Sequence, residues 1–255
     1  MTAPQITCYV RQCDTILPPE AWLSRVEDAE SHPLAVLKAG GMKNTLKVNL
    51  PPWGELCLNA FYWDMRRKLL SAFRISRGAR IWACAGDLLK NGVRIPEPVF
   101  LLEIRRPPFV TRTYIAYPWL SDRRDLGQIV TRHPGDSFFS ILQMATDTIA
   151  RLHNAGFIHK DLKWGNIACA SGPTPRIIIG DLDGIRRTTS AIRHGKDFAR
   201  FILDAMRFRV SPDRTEVLIR RYLDRRNASR KILAKSIRYR IALKKGKYIR
   251  SELAN

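Results

Sequence analysis

Three polar residues stand at a spacing that suits chemistry: Asp161 within His159-Lys160-Asp161, Asn166 five residues later, and Asp181 after the apolar run Ile177-Ile178-Ile179. Phosphoryl transfer from Mg-ATP needs such groups. One carboxylate must sit beside the acceptor hydroxyl, an amide and a second carboxylate must hold the metal, and a strand must aim that second carboxylate. Asp161 suits the first role, Asn166 and Asp181 the others. A lone His-x-Asp would read as a loop with an N-cap aspartate. The apolar strand between these residues and the amphipathic helix before them argue for a built site. Lys163 is placed either to neutralise charge on a transferring phosphoryl group or to form a surface ion pair. Asp183 either assists the metal or caps the following turn, and the turn is the simpler role.

The segments His159-Lys160-Asp161-Leu162-Lys163-Trp164-Gly165-Asn166 and Asp181-Leu182-Asp183 resemble the catalytic loop and metal-binding segment of the protein kinase superfamily, H-R-D-x-x-x-x-N and D-F-G. The resemblance implies an α+β bilobal fold with a small antiparallel-sheet N-lobe (residues 1–116) and a mainly helical C-lobe (117–255). It implies ATP and Mg2+ as cofactors. It also makes His159 a packing residue rather than the base.

The elements that must position these groups follow from periodicity. A short helix is expected from Glu20 to Ala29. Residues 34–50 and 55–63 alternate as consecutive antiparallel strands, joined through Gly40-Gly41 and the turn Pro51-Pro52-Trp53-Gly54. Gly40 and Gly41 lie where a kinase places its phosphate-covering loop, although G-x-G-x-x-G is absent and a hairpin turn accounts for them equally well. Met65 to Lys90 has helical spacing of Leu69, Phe73, Ile81, Trp82, Ala85 and Leu88, with Gly78 as a division between two helices. A strand follows Pro96-Glu97-Pro98, and another covers Thr113–Ala116. Tyr117-Pro118-Trp119 is then expected as the crossover between lobes, with adenine stacked against Tyr117 and Trp119. Helices are expected over 123–131 and 136–155, the second capped by Asp136-Ser137, and another beginning near Asp197.

Lys and Arg total 44 against 23 Asp and Glu, a formal net charge of +21. Such a field favours anionic partners, whether nucleic acid, an anionic membrane surface or a phosphorylated substrate. Residues 214–250 carry 14 Lys/Arg against Glu216 and Asp224, interleaved with Leu, Ile and Tyr. A basic helix of this kind either lies on an anionic surface or packs with a solvated basic face. Five cysteines (Cys8, Cys13, Cys57, Cys84, Cys169) without a CxxC pair argue for a reducing compartment and against a disulfide framework. His133 and His194 lack partners at metal-ligand spacing, so zinc is not expected. The N-terminus has no secretory pattern and no apolar run reaches membrane-spanning length.

Within the superfamily the chain is most similar to the bacterial lipopolysaccharide core kinases, the heptose and Kdo kinases. Ser76-Arg77-Gly78-Ala79-Arg80, the turn Gly92-Val93 to Pro96-Glu97-Pro98, the run Ile177 to Arg187 and Lys196-Asp197-Phe198-Ala199-Arg200 carry this resemblance, with Tyr222-Leu223 as a weaker match. It implies phosphorylation of a sugar hydroxyl on the anionic lipopolysaccharide core, at the cytoplasmic face of the inner membrane, with the protein cytoplasmic and peripheral. Asp197 would support the catalytic loop; a helix N-cap is the competing role. Asn59 falls at the family's phosphate-pairing lysine and Ile81 at its partner glutamate. Loss of both members is coherent, since one charge buried alone is costly. Lys47 or Lys43 is then expected to reach the phosphates, or the chain is a pseudokinase scaffold. A kinase acting on a protein or on an RNA-associated substrate fits the same motifs and the same basic charge.

Overall fold

The structure, a computed structural model, describes residues 4–252 apart from 12–16, 64–67, 70, 74, 122, 133–134 and 171–174; for 245–252 only the backbone is described. Cys13, His133 and the start of the expected helix at Met65 lie outside the described residues. The chain divides into two compact units: residues 1–86 with 96–121, and residues 87–95 with 122–255. Residues 117–121, expected in the C-lobe, stay with the first unit because Tyr117 pairs with Cys57 and the Trp119 amide donates to the Glu55 carbonyl at 3.0 Å. Residues 87–95 join the second unit: Arg151 donates to the Gly92 carbonyl and the Ile179 amide to that of Arg94.

In the first unit six strands form one antiparallel sheet: β1 (Gln5–Val10), β2 (Ala35–Lys38), β3 (Lys43–Leu50), β4 (Gly54–Tyr62), β5 (Phe100–Arg106) and β6 (Phe109–Pro118). Their order is β1-β5-β6-β4-β3-β2. One face buries Leu46, Val48, Leu56, Leu58, Phe100 and Tyr114 under Trp22 and Val26 of helix α1 (Pro19–Ser31). Trp22 is 1 % exposed and packs on Trp53 and Phe100 at centroid distances of 5.2 and 5.7 Å. Burying side chains of this size contributes about 2–3 kcal/mol each. β1 was not expected: its burial is only partial, and its pairing with β5 lies far off in sequence.

Helix α2 (Arg77–Lys90) serves the opposite face. Gly78 does not divide two helices. It lies in the first turn of α2, where a Cβ would fall 2.3 Å from Thr113 Cγ2 and 2.7 Å from Leu101 Cδ1. The glycine lets helix backbone lie against the sheet. Ser76 caps this helix, accepting from the Ala79 amide and donating to the buried Glu103 carboxylate at 2.6 Å.

The second unit is mainly helical: α3 (Leu126–Arg132), α4 (Asp136–Asn154), α5 (Ala191–Arg207), α6 (Pro212–Asp224) and α7 (Arg230–Glu252). Residues 123–125 form strand β7 (Arg123–Asp125) rather than the start of α3. Asp136 is not a cap: Gly135 holds that position and Asp136 pairs with Arg214. α5 starts at Ala191, six residues before the expected start, because Ser190 caps it by accepting from the Arg193 amide. The core joins Leu142 and Ile149 of α4, Phe198 and Phe201 of α5, and Leu218 and Tyr222 of α6. Short strands β8 (Phe157–Ile158), β9 (Ile167–Ala170), β10 (Arg176–Ile179) and β11 (Arg186–Arg187) frame the loops, in orders β10-β9-β7 and β11-β8. Among the described residues no helix is long and apolar enough to cross a membrane, and Cys8 and Cys169 are free thiols.

Candidate functional site

The loop between β8 and β9 carries Asp161, Lys163 and Asn166. Its shape is fixed by groups outside it. Asp197, buried on α5, accepts the His159 amide on Oδ2 at 2.7 Å and the Lys160 amide on Oδ1 at 2.8 Å. These bonds hold Lys160 at φ +68, a conformation that a non-glycine residue rarely adopts without such support. Asp204, two turns further along α5, accepts the Trp164 amide at 2.7 Å. The Trp164 ring is buried, and its Nε1–H donates to the Phe201 carbonyl. Asp197 is therefore the loop support that the sequence resemblance implied. It is an interior residue of α5 and not an N-cap.

His153 completes this support. Its Nε2 meets Asp197 Oδ2 at 3.2 Å and its Nδ1 meets the Tyr222 hydroxyl at 2.6 Å. A carboxylate only accepts, so Nε2 carries the proton and Nδ1 accepts from Tyr222. Burial lowers the His153 pKa, outweighing the attraction of Asp197, and keeps the ring neutral. Asp197 itself lies below the usual carboxylate range: burial pushes it up, but His153 and the loop amides win. His153 is thus a hydrogen-bonded positioning residue.

Asp161 is 40 % exposed at its side chain and surrounded by cations. Lys163 Nζ lies 3.0 Å from Oδ2 and Arg200 3.3 Å from Oδ1. Asn166 Nδ2 donates to Oδ2 at 3.1 Å and to the Asp161 carbonyl at 2.8 Å. Partial burial raises the Asp161 pKa, but Lys163, Arg200 and Asn166 outweigh it and the net shift is downward. Arg200 had no role from sequence. Its spacing of three from Asp197 on an amphipathic helix was the available signal.

The segment that carries Asp181 is docked on this loop by backbone contacts. The Gly180 amide donates to the Asn166 carbonyl at 2.8 Å, and His159 Nε2 donates to the Gly180 carbonyl at 2.7 Å. His159 is buried, with Nδ1 lacking a partner, so it ties segments together and is not the base. Asp181 sits at φ +48, exposed, and Leu182 is buried beneath it. A Cβ on Gly184 would stand 2.2 Å from the His159 carbonyl oxygen, so only glycine permits this approach. Asp183 lies in the 3-10 turn Leu182–Gly184, and Arg186 donates to its carbonyl. Asn166 spends its amide nitrogen on Asp161, and its Oδ1 and the exposed Asp181 carboxylate are oxygen donors on two segments joined by the Gly180–Asn166 backbone bond. Oxygen donors of this kind suit Mg2+, which takes one or two protein ligands and completes its shell with water and phosphate oxygens. Among the described residues there is no cluster of three or more His, Cys, Asp or Glu fit for a metal, so an ion at this junction would rest on these two side chains.

The residues expected around the nucleotide all belong to the first unit. Gly40 and Gly41 lie at the β2–β3 turn, where the Lys43 amide donates to the Gly40 carbonyl. A Cβ on Gly41 would meet nothing within 4 Å. Asn59 on β4 accepts from Thr45 Oγ1 at 2.8 Å, and Ile81 is buried. Lys47 Nζ is engaged by Glu55 at 2.7 Å and lies 5.1 Å from the Trp119 ring centroid. Lys43 lies nearer the glycine turn, 5.4 Å from the Phe61 ring, with Arg77 at 4.6 Å from the same ring. Tyr117 is buried at the end of β6 and Trp119 is half-buried.

No protein-family model and no curated protein sequence matches the chain. Solved structures do. The structure described as WaaP in complex with acyl carrier protein superposes with a TM-score of 0.68 at 17 % identity, over 94 % of this chain and 98 % of that one. The chain has a protein-kinase-like α+β fold. The kinase domain of Mycobacterium tuberculosis PknI matches at a TM-score of 0.40 and 16 % identity, over 82 % of this chain and 94 % of that domain. The likeness to WaaP runs through both units.

Proposed function

We propose that this chain is an ATP-dependent kinase that phosphorylates a sugar hydroxyl of the lipopolysaccharide inner core. The observation that carries the reading is the junction of Asp161, Asn166 and Asp181, tied through the Gly180–Asn166 backbone bond and the Asn166–Asp161 side-chain bonds. Asp161 orients the acceptor hydroxyl and takes its proton. Its lowered pKa makes it a weak base, which suits transfer in which the proton leaves late. Lys163 neutralises charge as the phosphoryl group moves, and Arg200 keeps Asp161 ionised. Asn166 and Asp181 would hold Mg2+, which would offset the charge of the phosphate oxygens. The fold shared with WaaP and the basic surface support an anionic acceptor. They also support a place at the cytoplasmic face of the inner membrane, with the cationic residues of α7 toward anionic lipid.

The test is Mg-dependent transfer of labelled phosphate from ATP to dephosphorylated lipopolysaccharide core, by wild type and Asp161→Ala. Transfer by wild type and a loss of about 10²–10⁴-fold in the variant are expected. A second reading, a pseudokinase scaffold, is favoured by one observation: Asn59 is satisfied by Thr45 at the position where a lysine would meet phosphate. Absence of Mg-ATP binding in wild type would establish that reading and end the first.

A further inference from the structure

A cavity of about 500 Å³ in the second unit adjoins the catalytic loop. Its walls carry six cationic side chains, Lys160, Arg193, Lys196, Arg200, Arg240 and Lys244, and a single carboxylate, Asp197. That carboxylate is unavailable to a ligand or to the cations, since both oxygens are consumed by the His159 and Lys160 amides and by His153. Of the six cations only Arg200 has an acidic partner among the described residues, and that partner is Asp161. Elsewhere on this unit basic side chains do find carboxylates: Arg214 with Asp136, Arg221 with Asp147, Arg230 with Asp224. Like charges gathered around one concavity repel and focus a positive field into it. The arrangement is stabilised only when an anion enters.

The geometry of two helices creates this collection. On α7 the face that buries Leu233 and Ile237 against the core continues, one and two turns later, as Arg240 and Lys244. Close packing fixes that face: Ser236 Oγ donates to the Ile192 carbonyl at 2.8 Å, and Gly195 faces Ser236 so tightly that a Cβ would fall 2.7 Å from the serine Cβ. α5 contributes Arg193, Lys196 and Arg200 from one side. Only six residues separate the Gly184 turn from α5, so little chain is available to cover the cavity.

We propose that this cavity is the acceptor subsite for anionic groups: phosphates and carboxylates on the sugar chain that carries the reacting hydroxyl. This rests on the kinase reading above and names where its substrate is held. Arg200 lines the cavity and also touches Asp161, so an anion seated there lies within one side chain of the residue that orients the hydroxyl. Guanidinium groups bind such oxygens in pairs, and the lysines add point charge.

The test is calorimetric binding, without ATP, of deacylated lipopolysaccharide core oligosaccharide bearing its phosphates and acidic sugars. Arg240→Ala/Lys244→Ala is compared with Lys231→Ala/Lys235→Ala, which removes the same charge from α7 outside the cavity. The first pair should weaken binding by about ten-fold or more, as loss of charged hydrogen bonds does. The second should change it less than two-fold, and removing phosphates from the oligosaccharide should weaken it in wild type. Equal weakening by both pairs, or no binding by wild type, overturns the proposal. Vesicles containing phosphatidylglycerol form the lipid arm: a loss confined to vesicles, with oligosaccharide binding intact, also overturns it. The two readings fail separately. Oligosaccharide bound in the cavity without phosphoryl transfer ends the kinase reading alone, whereas transfer indifferent to Arg240→Ala/Lys244→Ala ends the cavity alone.

Discussion

Asp197→Asn isolates the device that shapes the catalytic loop. Asparagine keeps the size of the side chain but replaces one acceptor oxygen by an amide nitrogen that can only donate. Asp197 uses both oxygens, at 2.7 Å for the His159 amide and 2.8 Å for the Lys160 amide. Whichever way the new amide turns, one backbone N–H in a buried setting loses its acceptor, at a cost of about 1–3 kcal/mol. The cheaper orientation leaves an oxygen at Oδ2, where the His159 amide and His153 keep a partner but lose the charge, roughly 1 kcal/mol each, since charged hydrogen bonds are about twice as strong as neutral ones. The expected loss is therefore about 3–5 kcal/mol, a large part of the 5–15 kcal/mol typical of folded proteins.

The variant should still fold, but with Lys160 freed from φ +68 and Asp161 displaced with it. A misplacement of about 1 Å costs on the order of 10²-fold in rate. The assay has two parts: the phosphotransfer kcat, and hydrogen exchange at the His159 and Lys160 amides. Both amides should exchange much faster and kcat should fall about 100-fold, with little change in KM for ATP. Protection and kcat equal to wild type would refute the claim that Asp197 holds the loop.

Two further outcomes follow from the same region. Gly184→Ala must force the Asp181–Gly184 turn away from the His159 carbonyl, because the contact at 2.2 Å is with backbone that cannot rotate aside. A kcat at least ten-fold lower and a raised Mg2+ requirement are expected in a magnesium titration, and an unchanged titration would refute it. His194 stacks on His153 at 4.8 Å and meets Arg226 at 2.9 Å; burial first, then the neighbouring His153 ring and the Arg226 charge, push its pKa down to about 4. The folded pKa lies below the unfolded value of about 6.5, so this stability is complete above pH 6.5 and is lost as pH falls toward 4. Between pH 6.5 and 5 the loss from His194 is about 2 kcal/mol, and His153 adds to it in the same direction. Urea unfolding at pH 7.5, 6 and 5 should show this slope and His194→Gln should flatten it; equal slopes would count against the assignment.

The junction of the two loops was legible in the sequence where it is local. Asp161, Asn166 and Asp181 fall within 21 residues, and the β10 strand that separates them has an unmistakable apolar run. The hairpins β2–β3–β4 were legible for the same reason, with their turns written in glycine and proline. What escaped depends on contacts distant in sequence. β1 is defined by β5, which lies some ninety residues away. The early start of α5 was hidden by Gly195 and by basic residues that resemble a loop, although the glycine is needed for the approach of α7. Gly78 misled in the same manner, since a glycine that permits close packing has the same letter as one that breaks a helix. On the phosphate side sequence position alone offered Lys47, and only the fold reveals that Glu55 already engages it.

The polar face of α5 is the most consequential feature that periodicity conceals. Arg193, Asp197, Arg200 and Asp204 recur at spacings of four, three and four, while Phe198, Phe201, Ile202 and Ala205 fill the core behind them. By periodicity alone this is an ordinary amphipathic helix with a solvated side. Here the polar side faces the catalytic loop instead. Asp204 takes the Trp164 amide, Arg200 takes Asp161, Asp197 takes His159 and Lys160, and Arg193 lines the cationic cavity. Two carboxylates answer backbone donors, and one arginine answers Asp161. The last arginine has no carboxylate partner among the described residues. Along its length the helix sets loop shape, the ionisation of Asp161 and the charge of the cavity. A single rigid element thus joins the cationic cavity to the loop that carries Asp161.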